Sequence, residues 1–201
     1  MLQNLIGIQL RFRLNKVGFL SDIEKAFLQV GLQEPDRDVC RFIWLKNPTA
    51  GVTDENLVIH RFRVVPFGIK PSPHLLGATT AHHLKRDGSH TALQILDNIY
   101  MDNVLTGAES TEKALEFYTE AKSIFKEASM NLREWASNDQ NLISQIPEFD
   151  HAKGRVVLGL QWDLDGDVLL VPGVQKLLAT DVKTKRDMLH ATAAVFDSLG
   201  F

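Results

Sequence analysis

The sequence predicts an α+β fold in which an antiparallel sheet is backed by helices, a ferredoxin-like arrangement related to the split βαβ layout. Three observations predict it. Short runs of β-branched and aromatic residues recur and meet at turn signals, so neighbouring strands should run antiparallel. Two longer stretches, Pro73 to about Lys85 and Ser110 to Ala128, carry helix starts and helical spacing. These elements alternate in the order strand, hairpin, helix, hairpin, helix, strand, hairpin.

Residues 1–13 mix Leu and Ile with Arg11 and Arg13 and read as a helix that starts abruptly. Leu14 to Phe19 leads into Leu20-Ser21-Asp22-Ile23, a buried strand ending at Asp22. Glu24 to Val30 then becomes a short helix or bend, with Glu24 and Lys25 a solvated pair, and Pro35-Asp36-Arg37-Asp38 marks a turn. Val39 to Lys46 and Leu57 to Val65 are rich in β-formers and make a hairpin across a polar loop. Pro66 to Pro73 holds too much Pro and Gly for a regular element, and Ser72 before Pro73 predicts an N-cap.

Asp87-Gly88-Ser89 breaks that helix, and a second short one fills His90 to Leu96. From Asn98 to Gly107, two apolar runs meet at Asp102-Asn103, residue types that tolerate the left-handed backbone of a two-residue turn. Ser110 caps an amphipathic helix with Ala114, Tyr118, Ala121, Phe125 and Ala128 at helical spacing and Glu112 in its first turn. Met130 to Trp135 reads as a strand, and Ser137 to Gly154 as a polar loop and sub-boundary. Arg155 to Trp162 and Val168 to Val171 form a hairpin around Asp165-Gly166. Thr184 to Leu199 is a final amphipathic helix with Met188, Leu189, Val195 and Phe196 on one side. Trp44, Trp135 and Trp162 are expected core anchors.

With 201 residues, 44% apolar and 23% charged, the chain can bury one good core. No run approaches the ~20 apolar residues that span a bilayer. The first residues lack the layout of a signal peptide. The single cysteine, Cys40, rules out an internal disulfide and suits a reducing compartment. A formal charge of −3 is unusual for a nucleic-acid binder, so either the chain binds none alone or its basic portions lie elsewhere.

Two carboxylates, Asp22 at a strand end and Asp102 at a hairpin tip, would make a site for hard divalent cations if adjacent strands brought them together. In isolation the ordinary turn acid is the favoured reading of each. The adjacent histidines His82 and His83 point about 100° apart on a helix, cannot readily share an ion, and read as structural or surface groups.

The motifs sharpen this. Ser21 to Phe27 resembles the first palm motif of reverse transcriptases, and Val65 to Pro73 resembles their second. Tyr100-Met101-Asp102-Asn103 resembles their Tyr-x-Asp-Asp box, and Leu158-Gly159-Leu160 the primer-gripping hairpin. Further likeness, to the BEL/Pao class of long-terminal-repeat retrotransposons, lies in Arg37 to Leu45, His82-His83, Asn131 to Trp135 and Phe196 to Gly200. The resemblance implies a polymerase palm with partial fingers over 1–171 and the start of a thumb or connection over 172–201.

It further implies RNA-directed DNA synthesis, with deoxynucleotides added to a primer 3′-hydroxyl along an RNA or DNA template. Asp22, Asp102 and Asn103 would be catalytic, and Asp22, Asp102 and the Ile23 carbonyl would hold two Mg²⁺, or Mn²⁺ in their place. Phe27, which in isolation reads as a core residue, would exclude the ribose 2′-hydroxyl, and Phe67 and Gly68 would floor the nucleotide site. Tyr100, Met101 and Gly159 would touch nucleic acid, as would Lys70, which reads equally as a solvated loop lysine. Arg61 and Arg63 read equally as backbone contacts or as an exposed strand face. Expected companions are the protease, ribonuclease H and integrase domains of a polyprotein, in a cytoplasmic virus-like particle and away from membranes.

The sequence departs from the family in three places. Asn103 replaces the second acid of the box, Glu134 stands where a lysine is usual, and most of the fingers is missing. The alternatives are therefore an inactive, truncated remnant of the same domain or a non-catalytic RNA-binding module. The adjacent aromatic strand motifs expected of that last class are not evident.

Overall fold

The computed structural model describes residues 4–153, 156–172, 183–193 and 195. Its centre is β1 (Val17–Ile23), paired antiparallel with β5 (Asn103–Ala108) on one side and β6 (Leu132–Ser137) on the other. The two-residue β4 (Ile99–Tyr100) completes a sheet of order β4-β5-β1-β6. An α+β architecture with helices backing an antiparallel sheet is thus what forms.

Strand alternation feeds two cores. Phe19, Val104 and Trp135 enter one, covered by α2 (Ser72–Asp87), α3 (His90–Asn98), α4 (Thr111–Glu127) and α5 (Gln140–Gln145). Their neighbours Leu20, Leu105 and Ala136 enter the other, with Ile8 and Phe12 of α1 (Leu5–Phe12). The second core is closed by Trp162, from a small sheet of β7 (Val156–Val157), β8 (Leu160–Asp163) and β9 (Val168–Leu170). Helix starts follow the capping chemistry: Ser110 accepts from Lys113 N at the head of α4, and Ser89 from Ala92 N at that of α3. Among the described residues no helix is long and apolar enough to cross a membrane.

Several expectations need correction. Ser72 does not cap α2: its hydroxyl donates to Pro66 O at 2.6 Å, folding the Pro-rich loop back on the helix, and Pro71 takes the cap position. The stretch read as a polar sub-boundary contains α5, whose cap Asp139 accepts from Asn141 N at 2.8 Å. Leu142 and Ile146, four residues apart, are enough to seat that segment in the first core. The last helix, α6 (Lys185–Ala193), buries Ala191, while Met188 and Leu189 face outward. Phe196 to Gly200, which carry part of the BEL/Pao likeness, lie outside the described residues.

β2 (Arg41–Leu45) and β3 (Leu57–Arg61) pair as expected, but the ribbon stands clear of both cores. Trp44 is 60% exposed and anchors nothing, whereas Trp135 and Trp162 are buried. On the ribbon's Trp44 face Phe42 stacks on His60 with centroids 5.5 Å apart, an aromatic strand surface that alternation in the sequence did not distinguish from a buried one. Trp162 packs edge-on against Phe12 at 4.9 Å and donates its indole N–H to Asp167 at 3.0 Å. Chemical denaturation should therefore show Trp162→Ala costing about 3–5 kcal/mol and Trp44→Ala within about 0.5 kcal/mol of the parent; equal costs would contradict this division.

Candidate active site

The register of β1 with β5 sets Asp22 directly across from Asn103. Cross-strand partners project from the same face, so both side chains lie on the side that carries Leu20 and Leu105 into the second core. Tyr100 pairs with Asn103 and closes the β4–β5 hairpin, leaving Met101 and Asp102 as its two-residue turn. The left-handed residue is Met101, at φ 58°, and neither Asp102 nor Asn103 as the sequence suggested. Asn103 starts the strand one position earlier than turn chemistry implies, because its pairing with both β1 and β4 outweighs its turn preference. Ile23 N donates to Asp102 O at 2.9 Å, which pins the hairpin tip to the end of β1. Asn103 Nδ2 in turn donates to Asp102 Oδ1 at 2.9 Å.

Two carboxylates on distant segments are thereby made neighbours. The Asp22 pKa is pushed up to about 7 by its partial burial first, then by the negative charge of Asp102 and of Glu134. Glu134 reaches this cluster from a bulge, where the β1–β6 register shifts between Leu20 and Asp22 and Glu134 takes φ 54°.

Arg133 is the β6 residue paired with Asp22. Its guanidinium is engaged elsewhere, donating to Glu24 Oε1 at 2.8 Å and to Phe149 O at 2.9 Å. Glu24 is thus hydrogen-bonded by Arg133 and Asn131, and the charge of Lys25 is the least of its influences. Those hydrogen bonds, Asn131 foremost, hold its carboxyl below the usual range. No local signal in the sequence links residues 109 positions apart.

Oxygen donors carrying unbalanced negative charge suit a hard divalent cation, and Asp22, Asp102 and the Asn103 amide supply them. Among the described residues no group of three or more His, Cys, Asp or Glu is gathered to hold an ion by itself. Mg²⁺ does not require one, since it keeps waters and takes one or two protein carboxylates beside substrate phosphates. The donors present fit that ion.

Beside the acids, β1 runs through Lys25, at φ 51°, into a short 3₁₀ turn carrying Phe27. Val65 N donates to Val30 O and Leu32 N to Arg63 O, both at 2.9 Å, so the Pro66–Gly68 loop lies against that turn. Phe27 and Phe67 meet edge to face at 5.3 Å, and Phe67 is 83% exposed. Gly68 has φ 89°, which explains its residue type, and Lys70 is exposed on the same loop. Tyr100 and Leu158 both pack on the second core, while Gly159 at φ 88° forms the β7–β8 turn with Leu158. Arg61 is occupied by Asp38 at 3.0 Å and Glu34 at 3.5 Å, and His83 is bonded to Ile124 O at 2.6 Å.

No family model and no curated protein matches the sequence. Solved structures do match. The foamy viral protease-reverse transcriptase in complex with RNA/DNA hybrid aligns at a TM-score of 0.64 and 18% identity, over 96% of this chain and 23% of that one. Its dRH form with double-stranded DNA gives 0.65 and 17%, over 96% and 29%. The complex of the protease-reverse transcriptase with double-stranded DNA gives 0.64 and 18%, over 96% and 35%. The chain spans about a quarter to a third of the length of those chains, and its fold is reverse-transcriptase-like.

Proposed function

We propose that this chain is the palm, with part of the fingers and the start of the thumb connection, of an RNA-directed DNA polymerase from a BEL/Pao-type retrotransposon polyprotein. The observation that carries the proposal is the convergence of Asp22, Asp102 and Asn103 at one sheet end within a reverse-transcriptase-like fold. Template, primer and deoxynucleotides are the partners, and protease, ribonuclease H and integrase domains share the polypeptide, in a cytoplasmic particle.

In nucleotidyl transfer a primer 3′-oxygen attacks the α-phosphorus of the incoming nucleotide, and pyrophosphate leaves. Two magnesium ions, or manganese in their place, would stabilise the attacking and departing oxygens. Asp22 and Asp102 would hold them, with the Ile23 carbonyl and the Asn103 amide oxygen as neutral ligands. Neutral donors add no charge, so the second ion would be held less tightly than by a third carboxylate. Phe67 and Gly68 would support the base pair, Lys70 the template phosphate, and Tyr100, Met101 and Gly159 the primer end.

Primer extension on a primed RNA template tests the reading: incorporation should require divalent metal, and a chain that binds the duplex yet extends nothing with either metal argues against it. One observation favours a binding-only role, the exposed Phe42–His60 stack on the β2–β3 ribbon, because such surfaces stack bases. Phe27 offers a sharper check on substrate class. In a full-length enzyme Phe27→Ala should admit ribonucleotides, lowering discrimination against them by about 10–100-fold. Unchanged sugar selectivity would remove that role from Phe27.

A further inference from the structure

The cation paired across the strands from Asp22 is Arg133, and the structure shows what occupies it. Side chains at directly opposed positions sit with their Cβ atoms about 5 Å apart, well within reach of an arginine–carboxylate pair. Instead the Arg133 guanidinium spans Glu24 Oε1 and Phe149 O.

Glu24 is itself held. Its other oxygen accepts from Asn131 Nδ2 at 3.1 Å, and Asn131 Oδ1 accepts from Lys122 Nζ at 2.7 Å. Lys122 is paired at 2.8 Å with Asp150, a fully buried acid that also accepts from the Tyr118 hydroxyl at 2.9 Å. Glu24 is therefore the outer end of a polar chain rooted in α4, and it is fixed before any ligand arrives.

We propose that Glu24 is a positioning residue: by holding Arg133 it keeps that guanidinium off Asp22 and leaves the Asp22 carboxylate free to take a divalent cation. The proposal rests on the reading of Asp22 as a metal ligand. Removing Glu24 frees Arg133 to form the pair that the strand register otherwise favours, and a protein cation then competes with the metal ion for one carboxylate.

The test is Mn²⁺ binding to the full chain, read from the free-ion electron paramagnetic resonance signal, so it does not depend on polymerase activity. Glu24→Ala should weaken binding about ten-fold, the size of one added nearby positive charge near a protein surface. Arg133→Gln alone should bind at least as tightly as the parent. The double variant should return to within about threefold of the parent, because the competing cation is gone. A double variant as weak as Glu24→Ala, or a Glu24→Ala variant that binds like the parent, overturns the proposal. Should Glu24→Ala not fold, Glu24→Gln carries the same comparison, since it retains hydrogen bonding but not charge. Asp22→Asn is run alongside. If it binds Mn²⁺ as well as the parent, the reading of Asp22 as a ligand fails first, which is distinct from a failure of the Glu24 arm alone.

Discussion

At about pH 8 the Asp22→Asn variant should melt about 5 °C above the parent chain, and in a full-length, active enzyme the same change should cost at least about 10²-fold in metal-dependent primer extension. The stability half follows from the raised pKa. Between the ordinary carboxylate value of 3.8 and about 7, the folded chain keeps a proton on Asp22 that the unfolded chain releases. Stability therefore falls as pH rises through that window, and the penalty is complete above about pH 7. A gap of about three pH units is worth at most ~4 kcal/mol. Asp22 is only partly buried, so solvent screens it and we take ~2 kcal/mol, about 2–4 °C of melting temperature for each kcal/mol in a chain of this size. Near pH 4 the two proteins should melt together. Magnesium at pH 8 should raise the melting temperature of the parent more than that of the variant, because the variant keeps Asp102 but loses the Asp22 charge. A melting gap of equal size at both pH values would mean that packing, and not charge, sets it.

Much of this site was legible because its parts are local. Asp22 ends a strand run, Asp102 tips a hairpin, and the order of motifs placed them on adjacent strands. What was not legible depended on partners distant in the chain. Turn chemistry favoured Asp102 and Asn103 for the left-handed position, but pairing to β1 drew Asn103 into the ladder and moved the strain to Met101. Ser72 has the right residue type for a helix cap, yet a carbonyl six residues back claims its hydroxyl. Alternation in 39–46 looks the same whether one face is covered or bare, so Trp44 could not be told from Trp162. Glu24 looked like the partner of its neighbour Lys25 because the arginine that holds it lies on β6.

Asn103→Asp separates a working enzyme from a decayed copy of one, and it should move stability and metal affinity in opposite directions. A carboxylate at 103 would sit directly across the strand pair from Asp22. Like charges so placed cost up to about 1 kcal/mol, and the 2.9 Å donation from Asn103 to Asp102 would become a second repulsion. Without metal the variant should therefore melt a few degrees lower than the parent. With magnesium the order should reverse, because the added charge strengthens ion binding by about ten-fold at surface-like dielectric. Calorimetry in the presence and absence of metal reads both changes in one protein. Primer extension then decides what the amide means. If the parent is silent and the variant extends primers, Asn103 is the lesion in a decayed polymerase. If both extend equally at saturating metal, the amide oxygen is a sufficient ligand and the second ion is held by substrate phosphates. A variant that gains no more stability from magnesium than the parent would show that position 103 does not face the ion, and the catalytic role given to it would fall.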